Sequence, residues 1–279
     1  VFESGTLTIT TKAVTVTANV QTKVHGDVDP ELTYSVSPVI NTTLANNTST
    51  ITFTGSLSRT LGEDVGTYAI GIGTLTNTNF DITFTPADLT ITKLPVVITP
   101  TASQSKTYGE VDYTLTYTTL PILNSTLTNT TSTVTFTGSL SRTTGENVND
   151  YTINIGTLTN TNYDITLNPE TFEITKRAIS LTINDLTKVF GASDPSLTYT
   201  ITAGSIAYTD AVSGALSRTL GEDVGIYTIG KGDLTYGNNY IETFVNGDFE
   251  ITSRTITVTA VAKTKVYGES DPPLTYIAT

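Results

Sequence analysis

The chain contains no cysteine, methionine or tryptophan, and its 279 residues include a single histidine. The missing cysteine excludes disulfide scaffolds, thiolate metal sites and cysteine nucleophiles. The single histidine excludes any catalytic site that needs two imidazoles. We therefore expect a protein that is not an enzyme and that needs no cofactor.

Basic residues are also scarce, since 14 Lys and Arg face 26 Asp and Glu, which gives a net charge of −12 and a pI of about 4.4. This charge repels phosphate backbones and anionic lipids, so we expect no nucleic-acid partner. The chain has no initiator methionine, no signal peptide and no apolar run long enough to span a membrane. We expect the targeting information to lie outside this fragment.

Threonine is abundant, with 63 residues beside 14 Tyr and 9 Phe, and this bias towards β-branched and aromatic residues favours strands. Apolar residues alternate with Thr or Gly, and no segment has helical periodicity. For the first 90 residues the alternation predicts strands near 13–19, 31–38, 50–58, 67–75, 79–85 and 88–93. Six short antiparallel strands are most simply buried as two packed sheets, which predicts an all-β, immunoglobulin-like sandwich.

The chain repeats itself. A Lys-x-aromatic-Gly motif recurs with glycine spacings of 83, 82 and 77 residues, at Gly26, Gly109, Gly191 and Gly268. Residues 55–66 return at 138–149 and at 214–225, and the closing strand at 89–93 returns at 172–176. A fixed period of this length indicates a tandem array of small domains.

The repeat markers divide the chain into complete repeats at 13–94, 95–177 and 178–254. We expect residues 1–12 to be the closing strand of a preceding repeat and 255–279 to be the incomplete start of a further one. Two of the boundaries are crossed by residues 173–181 and 249–260, which contain no Gly or Pro. A flexible linker is usually rich in such residues, so these segments do not resemble one. This predicts repeats joined stiffly into an elongated rod, with three repeats spanning roughly 90 Å.

Three motifs resemble those of a known family: Tyr-Gly-Glu-x-Asp-Pro at 267–272, Gly-Glu-Asp-Val-Gly-x-Tyr at 221–227 and Asn-Asn-Tyr at 238–240. Together they are similar to the MBG repeat, YGX type, of large bacterial cell-surface proteins. The resemblance implies tandem extracellular modules in adhesin-like proteins, and it brings no catalytic residues to carry over. Two departures are His25 in the aromatic position and Val111-Asp112-Tyr113 in place of Asp-Pro.

The turns that recur in every repeat have several interpretations. The glycine motif predicts a structural turn, and His25 fills a slot that requires a ring, not a titrating group. Arginine precedes glutamate by four residues in every repeat, and we expect each pair to clamp a local turn, an exposed pair adding at most about 1 kcal/mol. These pairs are Arg59 with Glu63, Arg142 with Glu146, and Arg218 with Glu222.

Two further hypotheses concern the polar residues of these turns. Calcium prefers several oxygen ligands, which makes Asp27, Asp29, Glu63 and Asp64 candidates, although no complete calcium-loop motif is present. The repeated lysines could each form an amide with an asparagine, as in some bacterial stalk domains, but this needs a desolvated neutral amine. They are Lys23, Lys106, Lys188 and Lys265.

The repeats differ most in the loops near 39–50, 120–131 and 202–212. Two of these loops carry Asn-x-Ser/Thr sequences, which are acceptors for N-glycosylation, at Asn41, Asn46, Asn47, Asn124 and Asn129. Two hypotheses follow. The chain is either a structural stalk of a surface adhesin or filament, whose partners are neighbouring repeats of the same chain, or an adhesive module whose variable loops bind a host or surface glycan or protein.

Overall fold

A computed structural model describes residues 1–38, 52–122, 127 and 134–279, and every regular element among them is a β-strand. In this part of the chain, no helix of the length and apolar character needed to cross a bilayer is found. The prediction of an all-β fold made of tandem two-sheet repeats is confirmed.

Two compact units make up the chain. The first unit comprises Val1–Gln104, Tyr113–Thr144 and Tyr151–Phe172. The second unit comprises Ser105–Asp112, Gly145–Asp150 and Glu173–Thr279. The division passes through the second repeat, so each unit holds one complete repeat and part of the second one.

The first repeat forms two sheets, one of three strands in the order β3-β1-β6 and one of four in the order β2-β7-β5-β4. Its strands are β1 (Lys12–Ala18), β2 (Gln21–Val24), β3 (Tyr34–Ser37), β4 (Ser58–Arg59), β5 (Gly66–Gly71), β6 (Phe80–Thr85) and β7 (Ala87–Thr92).

The expectation that all strands are antiparallel is wrong, because β1 pairs with β6 in parallel and β2 pairs with β7 in parallel. The reason is the path of the chain. It passes from one sheet to the other between β1 and β2 without reversing, and it does so again between β6 and β7. Alternation of apolar and polar residues reports burial and not strand direction, so the sequence does not reveal this pairing.

Two predicted strands are also displaced. The segment near 50–58 contributes, among its described residues, only an isolated bridge between Thr54 and Thr76 and the start of β4. Residues 1–12 are expected to be a closing strand, but residues 1–11 form no strand and Lys12 is the first residue of β1. A closing strand is held by lateral hydrogen bonds to two neighbours, as β7 is by β2 and β5, and residues 1–11 have no such neighbours among the described residues.

The core of the first repeat lies between its two sheets. Val16, Ile70 and Leu89 are fully buried there, while the threonines that alternate with them face outward or lie at the edges. This arrangement explains why so many threonines are compatible with a folded domain, since each strand needs an apolar face on one side only.

The second repeat supplies seven further strands, and β8 is flanked by β10 (antiparallel) and β13 (parallel) in a three-stranded sheet. They are β8 (Leu94–Pro100), β9 (Gln104–Thr107), β10 (Tyr117–Leu120), β11 (Ser141–Arg142), β12 (Asn149–Asn154), β13 (Tyr163–Leu167) and β14 (Thr171–Thr175). In the first unit, Val96, Val134 and Tyr163 form the centre of this repeat's core.

The third repeat lies in the second unit and has the same two sheets, in the orders β17-β15-β20 and β16-β21-β19-β18. Its strands are β15 (Arg177–Ile183), β16 (Leu186–Val189), β17 (Tyr199–Ala203), β18 (Ser217–Arg218), β19 (Gly225–Gly230), β20 (Tyr240–Val245) and β21 (Gly247–Thr252). The last described strands, β22 (Val258–Ala260) and β23 (Tyr276–Ala278), pair only with each other.

Consecutive repeats are joined by almost no linker at two boundaries. A single residue, Lys93, separates β7 from β8, and a single residue, Lys176, separates β14 from β15. The third boundary departs from the expected unbroken segment, because β21 ends at Thr252 and β22 begins at Val258. An extended path without Gly or Pro is therefore not sufficient for a continuous strand; it also needs a partner strand beside it.

Candidate functional site

Four side chains of alternating charge close a ring in the first repeat. Lys23 Nζ lies 2.6 Å from Asp29 Oδ1 and 2.6 Å from Glu63 Oε2. Arg59 Nε lies 2.6 Å from Asp29 Oδ2, and Arg59 Nη2 lies 2.5 Å from Glu63 Oε1. The Lys23 side chain is only 3% exposed. We call this group the charged cluster of the repeat.

Every member of this cluster whose pKa is shifted is held in its charged form. Burial lowers the pKa of Lys23, but hydrogen bonds and attraction from Asp29 and Glu63 outweigh burial and raise the pKa above its ordinary value. The hydrogen bond from Arg59, followed by that from Lys23, lowers the pKa of Asp29. The cluster is therefore a set of mutually neutralising charges.

The third repeat builds the same charged cluster from the equivalent residues. Lys188 Nζ lies 2.6 Å from Asp194 Oδ1 and also contacts Glu222. Arg218 contacts Asp194 at 2.6 Å and Glu222 at 2.5 Å. Hydrogen bonds from Arg218 and Lys188 lower the pKa of Asp194 to about 2.

In the second repeat, Lys106 Nζ lies 2.6 Å from Asp112 Oδ1 and 2.5 Å from Glu146 Oε2. The Val-Asp-Tyr departure noted in the sequence therefore still places Asp112 against the lysine. Arg142 lies over the rings of Tyr151 and Phe172, at 4.9 and 5.5 Å from their centroids.

Sequence reasoning paired the arginine with the glutamate of these clusters, but it assigned the lysine and aspartate to other chemistries and missed that they belong to the same clusters. Arg59 and Glu63 do contact each other, as do Arg218 and Glu222. The signal for the other two was present, because an aspartate follows each repeated lysine by six residues, in all four copies of the motif. The pairs are Lys23 and Asp29, Lys106 and Asp112, Lys188 and Asp194, and Lys265 and Asp271.

The geometry assigns these carboxylates to cations of the protein itself. Of the calcium candidates, Asp29 and Glu63 are bound to Lys23 and Arg59. The Asp27 side chain is not part of the cluster; the residue is exposed, and its backbone carbonyl oxygen accepts from Lys23 Nζ at 3.2 Å. Within the described ranges, no group of three or more His, Asp or Glu side chains is arranged to hold a metal ion. A lysine with a raised pKa is protonated, which is the wrong state for an amine that must attack a carboxyl or amide carbon.

Directly beside the charged cluster, the first repeat contacts the second one within the first unit. The Val65 N–H donates to Asn162 Oδ1 at 2.9 Å, and Asn162 Nδ2 donates to Asp64 Oδ1 at 2.8 Å. The rings of His25 and Tyr163 lie 5.9 Å apart. His25 Nδ1 lies 2.7 Å from the Glu63 carbonyl oxygen, which accepts its hydrogen bond. We call the ring contact and the bond from a backbone N–H to asparagine the docking contacts.

The second unit contains the same docking contacts one repeat further along. The Val148 N–H donates to Asn239 Oδ1 at 2.9 Å, and the rings of Tyr108 and Tyr240 lie 5.6 Å apart. Tyr108 Oη donates to Asp210 Oδ2 at 2.8 Å. Burial, followed by the bond to Asp210, raises the pKa of Tyr108 to about 12. His25 therefore stands where the phenol ring of Tyr108 makes the same contact in the second repeat.

The turn glycines have a second role that the sequence does not reveal. Gly109 has a φ of +85°, and a Cβ added there would lie 2.3 Å from Ala207 Cβ. Gly191 has almost the same φ, +81°, but the nearest atom to its added Cβ is an Arg254 nitrogen at 3.9 Å. The motif thus provides a turn and, where another repeat docks, a flat surface for close approach.

The loop at 202–212, predicted as a variable adhesive loop, takes part in this docking within the second unit. Ala207 is buried, and Arg177 Nε donates to the Ser205 carbonyl oxygen at 2.7 Å. Tyr208 Oη donates to Glu146 Oε2 at 3.1 Å. The acceptor sequences Asn41, Asn46, Asn47, Asn124 and Asn129, like most of the other two variable loops, lie outside the described residues.

Comparison with known proteins decides the family. The family model described as MBG domain (YGX type) matches three times in tandem, at residues 14–90, 96–173 and 179–250. This chain belongs to the MBG domain family. The resemblance carried by the three sequence motifs is thereby confirmed, and each repeat is an MBG domain.

Other comparisons add little to this assignment. No curated protein matches the chain. Among solved structures, the chain is similar to the crystal structure of the I9–I11 tandem from titin, with 8% identity, over 86% of this chain and 100% of that one. The TM-score is 0.19, which is too low to support an argument about how the MBG domains are built.

The first prediction concerns the charged cluster of the third MBG domain. Because the pKa of Asp194 is about 2 in the folded chain, against 3.8 for an unperturbed Asp, folding favours its ionised form. This contribution is present above pH 3.8 and is lost as the pH falls through about 2. We expect Asp194→Asn to lose stability at neutral pH and to weaken the acid dependence in this window, measured by urea unfolding at a series of pH values.

The matched control is Asp27→Asn, which changes an exposed aspartate outside the cluster. It should leave both the stability and its acid dependence close to those of the parent chain. Equal acid dependence in the parent chain and in Asp194→Asn would contradict the assigned role of the cluster.

The second prediction compares the turn glycines of the second and third MBG domains. Both substitutions to alanine force a non-glycine residue into positive φ, which costs about 1–2 kcal/mol. Gly109→Ala also introduces the clash with Ala207, which should add about 1–3 kcal/mol as overpacking does in cores. Gly191→Ala serves as the matched control. Equal losses of unfolding free energy in the two variants would show that Gly109 has no role beyond its turn.

Proposed function

We propose that this chain is a non-catalytic spacer segment of a bacterial cell-surface protein, in which tandem MBG domains hold a distal region away from the cell. One observation carries the proposal: the docking contacts between the first and second domains recur between the second and third. A repeated contact that involves side chains, backbone and a glycine surface favours a defined angle between neighbours. A spacer needs this property more than it needs any pocket.

The short connections between domains support the same role. With one residue between β7 and β8, the first and second domains have little freedom to separate. The bond from the Val65 N–H to Asn162 and the contact of His25 with Tyr163 oppose rotation about this connection. We propose that the domains extend as a stiff rod of roughly 90 Å, from the size expected of three compact domains.

The charged residues support a structural rather than a chemical role. The carboxylates of the clusters are bound to lysine and arginine, which leaves them poor general acids or bases. The net charge of −12 keeps a long surface molecule soluble. We accordingly propose a chain without catalytic activity and with an extracellular, cell-surface location, as the family resemblance implies.

The alternative is an adhesive module that binds a glycan or protein through its variable loops. The loop at 202–212 does not favour it, because Ser205, Ala207 and Asp210 are engaged inside the second unit. The described residues therefore support the spacer over the adhesive hypothesis.

X-ray scattering in solution tests the proposed role. We expect the parent chain to have a maximum dimension near the 90 Å of three aligned domains. Asn162→Ala combined with Asn239→Ala removes the two docking hydrogen bonds and should broaden the distance distribution while the domains remain folded. Asn168→Ala, which removes an exposed bond to Thr99 within the second domain, is the matched control and should leave the distribution unchanged.

Two outcomes would contradict this proposal. The first is a compact particle whose maximum dimension is far below that of aligned domains. The second is micromolar binding of the chain to a glycan in an array screen, which would favour the adhesive hypothesis.

A further inference from the structure

The third MBG domain presents the same surface that the two earlier domains use for docking, but here the surface is open. Phe190 occupies the position of Tyr108 and is 46% exposed, whereas Tyr108 is 4% exposed. Val224 occupies the position of Val148 and is 57% exposed. None of the described residues accepts a hydrogen bond from the Val224 N–H.

Arg254 completes the comparison. Its counterpart in the preceding domain, Arg177, donates to the carbonyl oxygens of Tyr108 and Ser205 at 3.1 and 2.7 Å. Arg254 is exposed, and its guanidinium makes no hydrogen bond to any residue that the structure describes. Among the described residues, the Arg254 guanidinium is thus a free donor, whereas the equivalent donor, Arg177, is bonded to a loop of the next domain.

These residues surround an open cavity of about 670 Å³. Its wall includes Phe190, Asp223, Val224 and Arg254 on the third domain and Ile256 and Ala278 from the segment that follows. The wall therefore combines an apolar ring, a backbone donor and a cation. These groups occupy the positions equivalent to those by which the second domain contacts the third.

We infer that this surface is the docking site for a further MBG domain, which inserts an asparagine and an adjoining aromatic ring. The asparagine side-chain oxygen accepts from the Val224 N–H, as Asn239 accepts from Val148. The aromatic ring packs on Phe190, as Tyr240 packs on Tyr108. Arg254 donates to the backbone of the incoming loop and of Phe190.

The segment after the third domain has, among the described strands, an open strand edge beside the proposed docking site. In the third domain, β15 is paired on one side with β17 and on the other with β20, which carries Tyr240. The equivalent strand β22 pairs with β23 alone among the described strands, so its other edge is open. In the third domain, the strand at the equivalent edge is β20, which begins at Tyr240 directly after Asn239.

This inference rests on the proposed spacer role and names its partner: another domain of the same kind. A second copy of the chain is the main competing occupant, because Asn79, the equivalent of Asn162 in the first domain, is exposed. Docking by a second copy would depend on protein concentration, whereas docking by an attached domain would not.

The test extends the full chain after Thr279 with a copy of residues 203–254, which completes a further domain. Hydrogen exchange of the Val224 amide is measured in the parent and extended chains, with the amides of Val65 and Val148 as internal references. In the extended chain, we expect the exchange rate of the Val224 amide to fall to about one tenth of its rate in the parent chain, or lower, because the amide gains an acceptor and is covered. The two reference amides should not change.

Two variants of the extended chain keep the test specific. Alanine in place of the appended copy of Asn239 should return Val224 to fast exchange, and Phe190→Ser should weaken protection of the appended strand. Unchanged exchange at Val224 would overturn the inference, whether the appended residues fold elsewhere or fail to fold. Concentration-dependent protection of Val224 in the parent chain would overturn it in favour of a second copy. The scattering of the parent chain is independent of these outcomes, so failure here would not by itself refute the spacer role.

Discussion

Each MBG domain of this chain contains a lysine whose charge is almost completely removed from water. An unpaired buried ammonium group is strongly destabilising, so Lys23 requires acceptors close by. It finds them in Asp29, on the glycine turn, and in Glu63, 40 residues later along the chain. Satisfying one buried cation therefore fixes two loops against each other.

The same two loops present the docking surface. Glu63 bonds to Lys23 through its side chain and to His25 through its carbonyl oxygen. The next two residues, Asp64 and Val65, meet Asn162 of the following domain. The charged cluster thereby fixes the positions of the Val65 N–H and the His25 ring, which contact the neighbouring domain. The carboxylates of the charged cluster resemble a cation site in the sequence. Their role in this structure is instead to hold the loops that form the docking surface.

The sequence predicts the fold class and the repeats well because both depend on local patterns. Alternating threonine and apolar residues indicate half-buried strands, and repeated turn motifs give the period. It does not reveal the parallel pairing of β1 with β6, since side-chain alternation is the same for either direction. Nor does it reveal that Lys23 and Asp29 join Arg59 and Glu63, because that contact depends on the packing of distant loops. The close approach of Gly109 to Ala207 is missed for a similar reason: a positive φ alone accounts for the glycine.

The central claim is that the charged cluster of the first domain supports docking although its four ion pairs all lie within that domain. A double-mutant cycle of unfolding free energies with Lys23→Met and Asn162→Ala tests it most directly, both residues lying in the first unit. If the cluster holds the loop that carries Val65, the two changes should be coupled by about 0.5–3 kcal/mol, as for residues within one network. Additivity to within about 0.5 kcal/mol, the behaviour of independent sites, would contradict the account.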